Sequence, residues 1–357
     1  MALLWIEGFE GLDAEFDPGW SQSPEIYTGM VRKYELVSSL IGNMSQLTTG
    51  CFGGYAIKLR PPGAGENIYW QTHPLTTDRT LIMGTALYLG TRNGTNPARL
   101  FAMYDGDNLE GMNLRLNDDA EYLEVWRGNT LLDTLTGQMI PEAEWFYIEF
   151  KVYCDNSAGT WEVRLNGNLL GSKSGVDTQG SITNYHQAVR WDANYSQIQY
   201  DDIYICDGTG TKNNDFLGVM RVVPGWPGTD HTIEWETMVG ASDHPRAVNE
   251  IEPDDDSSYI EDGNTGNRDI FDYENIIENL GPVAGVMLST LCRETDTQNF
   301  DLINVVRSGG TDYDQPSQQV GSTSYVHRYD ILESDPDTGL DWTQATINAA
   351  QFGVKVG

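Results

Sequence analysis

The stretch Trp145 to Gly171, WFYIEFKVYCDNSAGTWEVRLNGNLLG, decides the fold. From Phe146 the even positions run Phe146, Ile148, Phe150, Val152 and Cys154, all apolar, while Tyr147, Glu149 and Lys151 stand between them. Alternation with period two is the mark of a strand with one buried and one wet face. A polar loop, Asp155 to Gly159, leads into a second alternation, in which Trp161, Val163 and Leu165 are separated by Glu162 and Arg164. Asn166-Gly167 then supplies the two residues of positive φ that a tight type I′ turn needs, so the chain is expected to fold straight back. The stretch predicts antiparallel β-structure and by itself carries no chemistry.

Working outward, the same grammar fills residues 1 to about 212. Alternating or apolar runs occur at Tyr55 to Leu59, Leu81 to Leu89, Leu100 to Tyr104, Met112 to Leu116, Tyr122 to Trp126 and Ile198 to Cys206. Turn clusters separate them: Pro61-Pro62-Gly63, Thr91 to Gly94, Asp105 to Asn108, Asn117 to Asp119 and Arg127 to Asn129. Many strands, short turns and almost no helical period predict an all-β sandwich or jelly roll. The Gly/Thr/Asn-rich stretch Asp207 to Asn214 has no apolar pattern and reads as a linker, giving domains 1–212 and 213–357. The second is read as a smaller β-rich domain, with strands at Leu217 to Val223, Val283 to Cys292, Asp301 to Val306 and Ser324 to Ile331. A long polar stretch, His244 to Asp269, interrupts it. Thr343 is placed to cap one short helix, Gln344 to Gln351, ahead of a last strand, Val354 to Val356.

The 357 residues carry 21 Lys+Arg against 53 Asp+Glu, a formal net charge of −32. Residues 215–357 hold 26 of those acids and only 7 of the bases, so the second domain is the more acidic per residue. Such a chain repels nucleic acid and anionic membranes and favours cations or basic protein surfaces. Its 10 Trp, 18 Tyr and 10 Phe argue against disorder. MALLWIEGFEGL has no basic n-region and no window reaches the ~20 apolar residues of a membrane span, so neither a leader nor membrane insertion is expected. Cys51, Cys154, Cys206 and Cys292 lack CxxC spacing and read as free buried thiols, with a Cys154–Cys206 bridge as the minority reading. The five histidines, His73, His186, His231, His244 and His327, show no zinc-ligand spacing, and no Gly-rich loop leads into a Lys-Ser/Thr pair.

Three features of the first domain recur together: Gly8-Phe9-Glu10-Gly11, the pair WFYIEFKV and GTWEVRLNGNLL, and the closing YDDIYICD. Together they resemble the concanavalin A-like (laminin G-like) jelly rolls and, more loosely, the β-sandwich carbohydrate-binding modules. The continuation DDIYICDGTGTKNNDFLGVMRVVPGWP, then PDDDSSYI, then SGGTDYD and STSYVHRYDILESDPDTGLDWTQATINAAQFGVKVG, resembles structural proteins of tailed bacteriophages. That layout implies a non-enzymatic virion component of tail-fibre, head-fibre or decoration type. It would be made in the host cytoplasm, would form a homo-oligomer and would dock on capsid or tail proteins. The alternative is a carbohydrate-binding module for host-surface or environmental polysaccharide.

Each reading implies residues. In carbohydrate-binding sandwiches an early Phe-Glu and a late Asp-Asp frame a structural calcium, and the matching positions here are Glu10 with Asp201 or Asp202; no other cofactor is implied. Sugar contact would use loop aromatics, for which Trp20, Tyr27, Trp70, Trp191 and Trp226 are the candidates. Glucanases share the lectin-like fold and need paired carboxylates ~5–5.5 Å apart. The nearest pair, Glu121 and Glu124, lies three positions apart and should point to opposite faces of a strand. No catalytic residue is therefore expected. Asp254-Asp255-Asp256 lacks an EF-hand pattern and reads as a solvated acidic loop.

Overall fold

The structure is a computed structural model that describes residues 1–12, 24–41, 45–60, 67–92, 98–117, 121–194, 196–250, 253–295 and 300–357. The expected turns at Pro61 to Gly63, Asn93-Gly94 and Asp118-Asp119 lie outside them. The described residues are almost all β, and the chain divides into two compact units, Met1–Val222 and Val223–Gly357.

The first unit is a sandwich of two antiparallel sheets. The eight-stranded sheet runs in the order Asn168–Val176, Gly159–Leu165, Trp145–Tyr153, Thr80–Arg92, Ser196–Asp207, Tyr55–Leu59, Ser45–Thr49, and Leu3–Glu7 also pairs with Ser196–Asp207. The seven-stranded sheet runs Thr130–Leu135, Leu123–Arg127, Glu110–Leu116, Ala98–Asp105, His186–Ala193, Ile68–Gln71, Leu36–Val37. The deciding stretch behaves as read. Phe146, Ile148, Phe150, Val152 and Cys154 are all buried, and Asn166 and Gly167 turn the chain at φ 51° and 76°. One helix that the strand pattern hides, Pro24–Lys33, packs Ile26 and Met30 inward at four-residue spacing, and Tyr34, just past its end, is buried as well.

Aromatic rings fill the space between the sheets. Trp70 and Trp191 stack at 5.5 Å between centroids with planes 10° apart, and Tyr200 and Phe9 meet Trp70 edge-on at 5.3 and 5.9 Å. The Tyr200 hydroxyl, fully buried, donates toward the carbonyls of Leu100 and Asp192 in the opposite sheet, both at 2.6 Å. A buried hydroxyl left unpaired is costly, so these contacts fix the sheets in register with one another.

Two expectations change. The boundary lies at Val222/Val223 and not at 212/213, and Leu217 to Val223 forms no strand. Instead Asp215 to Val222 is laid across the eight-stranded sheet. Asp215 pairs with Lys151, the Phe216 ring lies 4.1 Å from the Arg164 guanidinium, and the Leu217 and Gly218 N–H groups donate to the Tyr204 hydroxyl and Glu149 Oε1. As a result Tyr147 and Glu149, on the supposed wet face, are 2 % and 0 % exposed. Two of these contacts are made by backbone N–H groups, which any sequence carries, so residue type gave no sign of them.

The second unit is built on a sheet of order Pro227–Ile233, Arg268–Tyr273, Gln351–Val356, Asp301–Ser308, Thr311–Asp314, with Gln318–Gln319 also pairing to Asp301–Ser308. Val286–Cys292 and Val326–Leu332 form a separate pair. The core gathers Val306, Leu332, Trp342, Ala350 and Phe352. The helix occupies Gln344–Ala349 and is capped by Thr343, whose hydroxyl accepts from the Thr346 N–H while Thr346 reaches back to the Thr343 N–H.

Candidate functional site

Trp20 lies outside the described residues. Trp70 and Trp191, expected as sugar platforms, are instead the centre of the sandwich core at 0 % exposure. In HQAVRWDA, Trp191 shares the inward parity of Val189, and a ring with no exposed surface has no face to offer a sugar. Tyr27 is half-buried on the helix and Trp226 half-buried in the second unit.

Glu10, Asp201 and Asp202 lie near enough for their charges to act on one another. Asp201 and Asp202 sit at a bulge of the Ser196–Asp207 strand, with Asp202 at φ 46°, a conformation that a non-glycine residue adopts under constraint. Asp201 accepts from the N–H groups of Cys51 and Asp202 at 2.7 and 2.8 Å. Glu10 accepts from the Tyr55 N–H at 3.1 Å, and Asp202 Oδ1 from the Val222 N–H at 2.7 Å. The other Asp202 oxygen is buried without a hydrogen-bond partner. Burial first, then the charge of Asp202, pushes Glu10 up to about 7 against the pull of the Tyr55 N–H. Burial also raises Asp201 and Asp202, with the Asp202 charge adding to the rise at Asp201.

Gly50 explains how the loop fits. A Cβ there would stand 2.4 Å from Asp201 Oδ2, 2.7 Å from the Gly53 carbonyl oxygen and 3.2 Å from that of Tyr55. Carboxylate and carbonyl oxygens thus converge beside a residue with no side chain. Among the described residues no group of three or more His, Cys, Asp or Glu side chains forms a ready metal cluster. The donor set here is a few carboxylates with backbone carbonyls, the oxygen chemistry of a hard cation such as calcium. Protons or a cation must offset the repulsion among the three acids.

A second arrangement was missed from sequence. It lies on the face of the seven-stranded sheet turned away from Trp70 and Trp191. Arg99 clamps Asp192 with two parallel N–H···O bonds of 2.8 Å and also holds Glu110. Arg115 reaches Asn113 at 2.7 Å and Glu110 at 3.2 Å, with its guanidinium 4.5 Å from the Trp126 ring. The Trp126 indole N–H donates to Glu124 at 2.9 Å. Arg190 lies between two tyrosines, 4.1 Å from the Tyr104 ring and 4.6 Å from Tyr69, and donates twice to Gln71 Oε1. Burial pushes Asp192 up to about 6 even with Arg99 pulling it down. Glu124 is buried on this face, and Glu121 lies ahead of its strand, Leu123–Arg127, with its N–H bonded to Asn117.

This is a rigid, cross-linked polar surface with aromatic rings among its hydrogen-bonding groups. The available signal was residue type. The outward positions of these strands include Arg, Asn, Gln, Asp, Glu, Tyr and Trp, where a merely solvated strand would use Lys, Thr and Ser.

No family model matches the chain, and neither does any curated protein. Similar solved structures include endo-β-1,4-glucuronan lyase from the fungus Trichoderma reesei, 11 % identical over 48 % of this chain and 90 % of that one, TM-score 0.38. Domain 4 of AbnA, a GH43 extracellular arabinanase from Geobacillus stearothermophilus, is 17 % identical over 59 % and 95 %, TM-score 0.37. The carbohydrate-binding module CBM66 from Bacillus subtilis is 9 % identical over 46 % and 92 %, TM-score 0.32. At these identities the likeness concerns the β-sandwich fold alone.

Proposed function

We propose that the first unit is a sugar-binding sandwich that holds a saccharide, without turning it over, against the outer face of the seven-stranded sheet. The observation that supports this is the fixed polar face of Arg99, Arg115, Trp126 and Arg190, with the buried Asn113 and Asp192 holding Arg115 and Arg99 from beneath. Its groups are held by one another on strands, so little ordering entropy remains to be lost when a ligand arrives. Saccharides are recognised by such fixed donors and acceptors beside ring faces. Binding without turnover is supported by how the carboxylates are used: Asp192 and Glu110 serve arginines and Glu124 serves an indole. A calcium held by Glu10 and Asp201, with Asp202 beside them, belongs to the same reading as a structural ion. It would fix the Gly50 to Tyr55 loop to the Ser196–Asp207 strand.

The test is a glycan array probed with the full chain and with Trp126→Ala. Retention of one glycan class by the wild type, weakened in the variant at unchanged melting temperature, is expected. Retention that Trp126→Ala leaves unaltered places the ligand elsewhere. A place on a phage particle, as a homo-oligomer docked on capsid or tail, stays a second proposal that rests on the sequence layout. It fails if mass spectrometry of purified particles does not find the chain.

A further inference from the structure

Arg190 differs from the other arginines on this sheet face. Arg99 and Arg115 each have carboxylate partners. Arg190 has no carboxylate at ion-pair distance among the described residues, in a chain with 53 acids and 21 bases. Asp192, two residues along the same strand, has both oxygens taken by Arg99. Arg190 is half-buried and its Nε and Nη2 share one acceptor, Gln71 Oε1, at 3.0 and 2.7 Å. Gln71 is itself fixed by Asn108 at 3.1 Å. Two tyrosine rings hold the guanidinium plane, so its remaining N–H groups keep a set direction. The charge of Asp192 reaches Arg190 from the same strand face, but no carboxylate among the described residues is hydrogen-bonded to it. A charged fork fixed in position with no carboxylate in its grip can receive one from a ligand.

We infer that the saccharide bound on this face is acidic, and that Arg190 receives its carboxylate. The inference rests on the glycan reading above and names the ligand class for that surface. The net charge of −32 opposes an acidic ligand at long range. Selectivity must then come from a contact group, and physiological salt, which screens beyond about 8 Å, leaves a contact pair nearly intact.

The experiment measures binding of the full chain by isothermal titration to three probes: polygalacturonate, polymannuronate and polyglucuronate. Each is compared with the same polymer after its carboxyl groups have been reduced to alcohols. The wild type should bind at least one polyuronate and lose that binding when the carboxyls are reduced. Arg190→Gln should weaken the polyuronate complex by roughly 10- to 100-fold, the range of a hydrogen bond to a charged group. Arg190→Lys should recover only part, because it keeps the charge and loses the fork. Equal binding of acidic and reduced polymers, or unaltered binding by a folded Arg190→Gln, overturns the inference and leaves the glycan reading standing. Failure to bind any acidic or neutral polymer overturns both. If Arg190→Gln does not fold, the comparison of native with reduced polymer decides on the wild type alone.

Discussion

The Gly218 N–H donates to Glu149 Oε1 at 2.8 Å, joining the segment that follows the last strand of the sandwich to a carboxylate in the middle of its eight-stranded sheet. Tyr204, whose hydroxyl also reaches Glu149, accepts from the neighbouring Leu217 N–H at 3.1 Å. The segment therefore closes the first unit, and what looked like a wet strand face is interior.

Cutting the chain after residue 212 should accordingly damage the sandwich, whereas cutting after 222 should not. The shorter fragment loses the bonds to Tyr204, Glu149 and Asp202 together with the Phe216 contact, a loss of roughly 3 kcal/mol if each bond contributes about 1. Thermal unfolding followed by circular dichroism should show the 1–212 fragment melting well below 1–222. Equal melting temperatures would return the boundary to the linker.

Trp191→Ala should cost about 3–5 kcal/mol of stability, as the loss of a large fully buried ring does. Urea titration of the full chain, following the transition of the first unit, measures it. A change below about 1 kcal/mol would mean that the ring is not packed as the stack with Trp70 shows.

Gly84→Ala should also destabilise the unit, because a Cβ at Gly84 would stand 2.2 Å from Cε1 of the Tyr204 ring. Displacing that ring disturbs its bond to Glu149 and the Asp215 to Val222 segment together. A loss of about 1–3 kcal/mol is the usual cost of such overpacking. A Gly84→Ala variant as stable as the parent rules the contact out.

The acidic cluster gives stability a pH dependence of predictable sign. Glu10 has its folded pKa raised from 4.5 to about 7, so the folded state binds the proton more tightly than the unfolded one. Its contribution is fully present below about 4.5 and lost as pH rises through about 7. With chelator present, the melting temperature should fall between pH 5 and pH 8, and Glu10→Gln should flatten part of that fall. Saturating calcium at pH 7.5 should raise the melting temperature of the wild type through binding to the native state. An equal rise in Glu10→Gln would leave only screening of the net charge.

By itself the sequence determined the local grammar. The alternation of Phe146 to Cys154 and the Asn166-Gly167 turn specify a hairpin strand whatever surrounds them, since side-chain period and positive φ are properties of the local chain. The same holds for Thr343, whose cap is made within three residues. That Glu10 and the Asp201-Asp202 pair would be neighbours was legible from short motifs, and the structure shows their charges acting on one another. Only the tertiary structure decided what covers each face. Trp70 and Trp191 read as loop aromatics until the pairing of Ile68–Gln71 with His186–Ala193 turned both rings inward. Nothing in the local sequence singles out Arg190; Tyr69, Tyr104 and Gln71, which lie 121, 86 and 119 positions before it in the chain, are brought around it only by the fold. Glu149 became interior only when a segment 69 residues further on supplied its N–H group. Period tells which residues share a face, and long-range pairing alone tells what that face meets.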